Sequence, residues 1–394
     1  MSPTHCRCNL GSSVAAQALS DFTTYLTPGT GMYRICCASP LALLTLTSST
    51  AFILEPSRPF TLSTHPSDAG RFLECLRADN TEGKRADQRL NECLDSHQYG
   101  CENRPIHQVI AHKGGYASTL NTWVHSFVWV LQHGQVWLPS GPFRYNDPGL
   151  CDPEAGLDCY YEKVTNCTGT PIRVSKAKEF LPLSTGTFLD DVATSLGVSR
   201  NWVWGHIAQY ALRMKPSTKD NMMAITPAFE ARHTFGIQYR SFDLTGLMGN
   251  DERKSVGIDK YLEYADKLIK GASGIRTMYV MTDTNQLTVD YLKAARSQYE
   301  FLSPQRQVAD LAIQQAGSIA NMTYELLADM DAMVQAEVFI GSHSNIFWLI
   351  HALRETRENG PGMSCWVNIR SEAAPLLCPG DAEFWTDSPV GMAK

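Results

Sequence analysis

The chain has 394 residues, with 34 Lys and Arg against 40 Asp and Glu, a formal net charge of −6. With 43% apolar and 19% charged residues it can bury a sizeable core, which excludes disorder as its main state. The acid excess excludes a nucleic-acid binder that works through a broad positive surface, but not a local basic pocket for one phosphate ester.

At ~100–200 residues per domain, the length suggests two domains or three. No fixed-period repeat is present. Residues 1–56 form an N-terminal segment that holds Cys6, Cys8, Cys36 and Cys37. Within it, Ile35 to Leu54 is uncharged and has the ~20-residue length of a membrane span, which suits a signal anchor or a cleaved signal peptide. Its six Ser or Thr and one Pro make it a poor span. Eight cysteines follow: Cys75, Cys93, Cys101, Cys151, Cys159, Cys167, Cys365 and Cys378. None has the tight Cys-x-x-Cys spacing that zinc favours. They read as disulfides of a secretory-pathway protein, with buried thiols of a cytosolic enzyme as the alternative. The sequons Asn166-Cys167-Thr168 and Asn321-Met322-Thr323 favour the first.

Residues 57–100 read as a stem that turns helical around Cys75 and Cys93. Residues 101–225 form a first α/β domain. Pro105–His112 alternates like a strand, and Gly114-Gly115 marks a turn. From Ser118 to His133, apolar Leu120, Trp123, Val124, Phe127, Val128, Val130 and Leu131 recur at helical spacing. A short strand, Gln135–Pro139, completes one βαβ unit. Residues 140–172 read as loop and 173–215 as mostly helical.

Residues 226–360 form a second α/β domain with a clearer alternation. Strands are predicted at Thr234–Ser241, Arg276–Thr282, Tyr299–Leu302 and Glu337–Gly341. Helices are predicted at Asp259–Gly271, Thr284–Arg296, Arg306 to about Met330, and Ser344–Glu355. Alternating buried strands and helices predict an open parallel sheet flanked by helices. Residues 361–394 read as a C-terminal tail. The fold class is therefore α/β.

Ligands of such sheets bind at the carboxyl ends of strands, beside helix N-termini. Three strand ends carry polar clusters. The first is Gln238-Tyr239-Arg240-Ser241-Phe242-Asp243, where the Arg240 fork can grip a phosphate or pair with Asp243. The second is Thr282-Asp283-Thr284, where Asp283 either contacts a ligand or Arg240, or caps the next helix. The third is Gly341-Ser342-His343-Ser344-Asn345, a strand-to-helix turn whose N–H groups and hydroxyls suit a diphosphate. It is not a Walker loop. No second His or Cys stands near His343 at ligand spacing, so a metal is not expected there. The polar loop Leu244–Gly257 holds Asp251 and Glu252, either as a general base or as solvated charge.

In this order the three clusters resemble the fucosyltransferase superfamily with a GT-B-like fold, most of all the α-1,6-fucosyltransferases of the N-glycan core. The family's His-x-Arg-Arg-x-Asp motif resembles Gln238 to Asp243. Its Ala-Thr-Asp-Asp motif resembles Met281 to Thr284, and its Thr-x-Ser-Ser motif resembles Ser342 to Asn345. Gln238, Ser241, Thr284 and Asn345 depart from the pattern. In the first half, Tyr99-Gly100-Cys101 onward and the Gly114-Gly115 loop resemble the family's cysteine-bearing segment and glycine-rich first unit.

The resemblance implies two Rossmann-like domains and transfer of fucose from GDP-fucose to a glycan or glycoprotein acceptor, with inversion and without metal or cofactor. It implies donor binding by Gln238, Arg240, Asp243, Asp283, Ser342, His343, Ser344 and Asn345, with Asp329 selecting guanine. Arg240 would stabilise charge on the leaving phosphate. The catalytic base is Glu252 when counted back from Tyr261, whereas an ungapped count from Arg240 reaches Met248. The resemblance also implies a secretory, Golgi location and a single-pass type II anchor. A degenerate, non-catalytic binding protein, a transferase for another nucleotide sugar, and an unrelated α/β enzyme stand as alternatives.

Overall fold

The computed structural model describes residues 67–78, 83–101, 104–111, 114–152, 154–180, 185–239, 256–270, 274–282, 286–303, 319–369, 373–381 and 383–385. All belong to one compact unit, Thr64–Lys394. The four early cysteines and the uncharged run 35–54 lie outside the described residues. Among the described residues, no helix is long and apolar enough to cross a membrane.

Helices α1 (Ser67–Ala78) and α2 (Ala86–Tyr99) come first. Phe72, Leu76, Leu90 and Leu94 are fully buried in the main core, and Cys75–Cys93 staples the two helices. From residue 67, the segment expected as a stem is therefore part of the core.

The βαβ unit predicted from apolar spacing is present as β1 (Ile106–Ile110), α3 (Tyr116–Gln132) and β2 (Val136–Ser140). With β3 (Arg173–Lys176) they make a three-stranded parallel sheet in the order β2-β1-β3. The helical reading of 173–215 missed β3. It is a short edge strand with a charge at each end and an exposed Val174, so no apolar run announces it. Helices α4 (Gly186–Leu196), α5 (Arg200–Ala211) and α6 (Pro216–Ile225) follow. Ser199 caps α5 by accepting the Trp202 N–H.

The second half runs β4 (Thr234–Tyr239), α7 (Ile258–Ile269), β5 (Thr277–Thr282), α8 (Gln286–Ala295), β6 (Glu300–Leu302), α9 (Ile319–Gln335), β7 (Val338–Ser342), α10 (Asn345–Arg354), β8 (Met363–Val367) and β9 (Leu376–Leu377). Its sheet order is β6-β5-β4-β7-β8-β9, parallel up to β8, with β9 antiparallel. β4, β5 and β7 are buried along their whole length, as the apolar runs predict. The expected C-terminal tail contributes two strands to this sheet. Cys365–Cys378 joins β8 to the residue after β9, and Trp366 and Phe384 are buried. The Met-Ser-Cys-Trp-Val run was a strand signal, preceded by the turn signal Pro361-Gly362.

The two sheets share one hydrophobic core that runs from Phe72 in α1 to Phe384. Helix α10 is its centre and packs on α3, α5 and α9. Because it is covered on nearly every side, seven of its ten residues are buried. At Gly205 of α5, the two helices meet backbone to backbone: a β-carbon there would lie 2.0 Å from the Ala352 carbonyl oxygen. Two polar links reinforce the join. Asn121 of α3 donates to the Asn345 carbonyl at 2.9 Å, and Asp147 accepts the Ala320 N–H in the first turn of α9 at 3.0 Å.

All eight cysteines from Cys75 onward are paired, the remaining bridges being Cys101–Cys167 and Cys151–Cys159. Four disulfides fit a chain that folds in an oxidising environment.

Three buried imidazoles make the fold sensitive to acid. Burial lowers His97 and His107 to about 4 and His351 to about 3. His97 faces the Gln135 carbonyl, and His107 lies between the Gln135 amide oxygen and the Ser175 hydroxyl. Each folded value is below the unfolded one. Their stabilisation is therefore full above pH 6.5 and is lost as pH falls toward 4, about 2 kcal/mol per group at pH 5. Asp158, Asp331 and Glu355, whose carboxyls burial raises, oppose part of this loss. Urea unfolding at pH 7 and pH 5 is expected to give a lower free energy at pH 5. Equal or higher stability at pH 5 would contradict the account.

Candidate functional site

In the second sheet, the chain steps outward from β4 to β5 and β6, then returns to the other side of β4 with β7 and β8. The reversal falls between β4 and β7, and in open α/β sheets this is the place where a crevice opens outside the carboxyl ends of the strands. The three predicted clusters sit at the ends of β5, β4 and β7, which are neighbours in that order. The described ends of these clusters, Gln238 and Tyr239, Thr282, and Gly341 to Asn345, thus come together in space although they are roughly 40–60 residues apart in sequence. Of the predicted residues, Arg240, Asp243, Glu252 and Asp283 lie outside the described residues, so the structure gives the frame around them.

Gln238 is paired with Gly341 across β4 and β7. Its side chain is 3% exposed, and its amide oxygen accepts the Ser342 N–H at 3.0 Å. Ser342 is fully buried, and its hydroxyl lies 2.7 Å from the Tyr261 hydroxyl and 3.5 Å from the Gln238 carbonyl. Both residues were expected to touch the donor directly. The Gln238 amide oxygen and the Ser342 N–H and hydroxyl tie the two strand ends to each other and to α7. Gly341 permits this close fit, because a β-carbon there would lie 2.8 Å from Gln238 Oε1 and 2.9 Å from Phe347. Tyr261, which sequence reading used only as a core residue and a counting mark, is the third member of the network. Its ring meets Tyr239 edge-on at 5.4 Å.

The rest of the third cluster divides by role. His343 is 9% exposed, and its ring lies 4.5 Å from Trp366 and 6.1 Å from Trp348. The Ser344 hydroxyl accepts the Phe347 N–H at 3.2 Å and so caps α10. Asn345 is exposed, and it is the one side chain of the four that stands outward. A capped helix start with an outward amide favours an anion through the helix dipole.

Asp329 lies on α9 at 1% exposure and is engaged within the protein. The Gly114-Gly115 loop opens α3, but the Tyr145 hydroxyl accepts the Tyr116 N–H at 3.0 Å. The Tyr116 and Tyr161 hydroxyls pair at 2.6 Å, and burial pushes both phenols up, so they stay neutral. This turn is closed by tyrosines that no glycine pattern could reveal. Among the described residues, no group of three or more His, Cys, Asp or Glu is placed to hold a metal ion.

No family model matches the chain, and no curated protein matches it. Solved structures do. A mutant of Arabidopsis thaliana FUT1 in complex with GDP matches at 13% identity and a TM-score of 0.45, over 79% of this chain and 81% of that one. POFUT1 in complex with GDP matches at 13% identity and a TM-score of 0.40, over 67% and 98%. NodZ alpha-1,6-fucosyltransferase soaked with GDP-fucose matches at 12% identity and a TM-score of 0.41, over 69% and 98%.

Proposed function

We propose that the chain is a metal-independent glycosyltransferase of GT-B type. It moves fucose from GDP-fucose to a glycan or glycoprotein acceptor with inversion, in the manner of the α-1,6-fucosyltransferases. The observation that supports this most is that the three strands leading into the motif-like clusters, β5, β4 and β7, are neighbours at the reversal of the second sheet.

In this reading, the diphosphate lies over the ends of β4 and β7. The acceptor hydroxyl attacks the anomeric carbon from the face opposite GDP, the bond to the β-phosphate oxygen breaks, and charge grows on that phosphate. Arg240, which directly follows β4, neutralises the charge together with N–H groups at the start of α10. Glu252 or its neighbour Asp251 takes the acceptor proton. Gln238, Ser342 and Tyr261 hold the strand ends rather than the donor, and Asn345 is the outward polar contact. The same reading puts the enzyme in the Golgi, with 35–54 as its anchor.

A degenerate binding protein is the second reading. It is favoured by Gln238 and Ser241, which stand where the resembled motif has His and Arg, and by the Gln238 amide oxygen accepting the Ser342 N–H.

Calorimetry with GDP, GDP-fucose and UDP separates these readings. GDP is expected to bind, and Arg240→Ala is expected to weaken it ~10–100-fold, the worth of charge-assisted bonds to one guanidinium. Fucose transfer is expected to vanish in Glu252→Gln while GDP binding remains. Binding of UDP in place of GDP would refute the fucosyl donor. GDP binding with no turnover over a panel of glycans would favour the degenerate reading.

A further inference from the structure

The first sequon lies in a segment that the fold locks on both sides. Asn166 and Thr168 are exposed and belong to no helix or strand. Their neighbours are not free. Thr165 is 6% exposed, and its hydroxyl donates to the Gln98 carbonyl at 2.6 Å and accepts the Cys167 N–H at 3.1 Å. Cys167, the middle residue of the sequon, is 7% exposed and bonded to Cys101, 66 residues earlier. The exposed Asn166 side chain, its amide oxygen 3.6 Å from Cys101 Sγ, thus stands on a backbone fixed to α2 and to the residue just beyond it.

We propose that Asn166 carries an N-linked glycan, and that its addition competes with closure of the Cys101–Cys167 disulfide. In the transfer, the Asn166 amide nitrogen forms a bond to C1 of an oligosaccharide carried on a polyprenyl diphosphate. The C1–oxygen bond to the diphosphate breaks, the lipid diphosphate leaves, and the amide gives up one proton. The transferase must draw the sequon away from neighbouring structure into its own site. A thiol at Cys167 leaves the segment free to do so, whereas the disulfide and the Thr165 bonds pin it. Once attached, the glycan meets no obstacle, because Asn166 faces water. The second sequon differs: Asn321 begins α9, is engaged within the protein, and has its Thr323 hydroxyl bonded to the Ile319 carbonyl.

The test expresses the full chain behind a cleavable secretion signal in a eukaryotic host and measures occupancy at Asn166 by peptide mass spectrometry after enzymatic deglycosylation. The wild type is expected to be a mixture of occupied and empty chains, and Asn166→Gln to lose the glycosidase-sensitive mass shift at this peptide. Cys101→Ser is expected to raise occupancy at least twofold. A brief pulse of thiol reductant on wild-type cells is expected to do the same, which covers the case in which the variant does not fold. No glycan at Asn166 in any sample would overturn the site. Full occupancy in the wild type, or occupancy unchanged by both the variant and the pulse, would overturn the competition.

Discussion

Replacing Arg354 with Met is expected to cost ~3–5 kcal/mol, the scale of breaking a buried, charged hydrogen-bond hub. Arg354 is the only fully buried arginine among the described residues. Its guanidinium donates to the carbonyls of Met333, Val334, Ala336, Glu337 and Met363 and to the Ser364 hydroxyl. Two of these carbonyls close the last turn of α9, two lead into β7, and one opens β8. A cation at a helix C-terminus is favoured by the dipole, and here it also sets where β7 starts. Burial lowers the group to about 9, so it remains charged at neutral pH, where five carbonyls favour the charged form. Met fills much of the volume and supplies no donor, which leaves buried carbonyls without partners. Lys restores the charge but not the planar fork, so Arg354→Lys is expected to recover only part of the loss. Urea midpoints of the three proteins decide it, and a loss under ~1 kcal/mol in Arg354→Met, an ordinary value for point changes, would refute the hub.

Gly205→Ala is the second large effect, and its sign is diagnostic. In an isolated helix, Ala is better than Gly by ~1 kcal/mol, so propensity alone predicts a gain. The contact with α10 predicts the opposite. A methyl at 2.0 Å from the Ala352 carbonyl oxygen and 2.9 Å from its carbon meets backbone, which cannot swing aside as a side-chain tip can. Overpacking costs ~1–3 kcal/mol even where side chains can adjust, so a net loss of ~2 kcal/mol or more is expected. Because α10 begins with Ser344 and Asn345, pushing it off α5 also moves the third cluster. Thermal unfolding and GDP affinity should fall together. A variant as stable as the wild type would show that the helices are not in backbone contact.

The elements that carry the candidate site were legible because their signals are local. β4, β5 and β7 are apolar runs ended by polar residues, and burial on both faces enforces such runs. β3 and the tail strands were missed for a different reason. A sheet edge tolerates charges, and β9 is only two residues long, whereas β8 continues the alternation after α10 and its apolar run was a signal passed over. The roles of Gln238 and Ser342 were not legible at all. They depend on the register that sets Gln238 beside Gly341, which brings one amide oxygen to the next N–H. In sequence, an amide and a hydroxyl at strand ends look the same whether they face a ligand or each other. Tyr261 stayed hidden likewise, since a buried tyrosine on a helix shows its ring in the periodicity but not its hydroxyl.

The contact at Gly205 bears on how such a chain can be rebuilt. Two halves joined by a loose hinge can be exchanged between relatives, each bringing its own specificity. Here α5 from the first half and α10 from the second are cut to each other at the level of backbone atoms, with Asn121 and Asp147 set to the same fit. A chimera that took its first half from another chain would have to import the small residue on α5 and both polar links with it. The two halves are therefore closed to exchange as separate blocks, because backbone atoms set the fit between them.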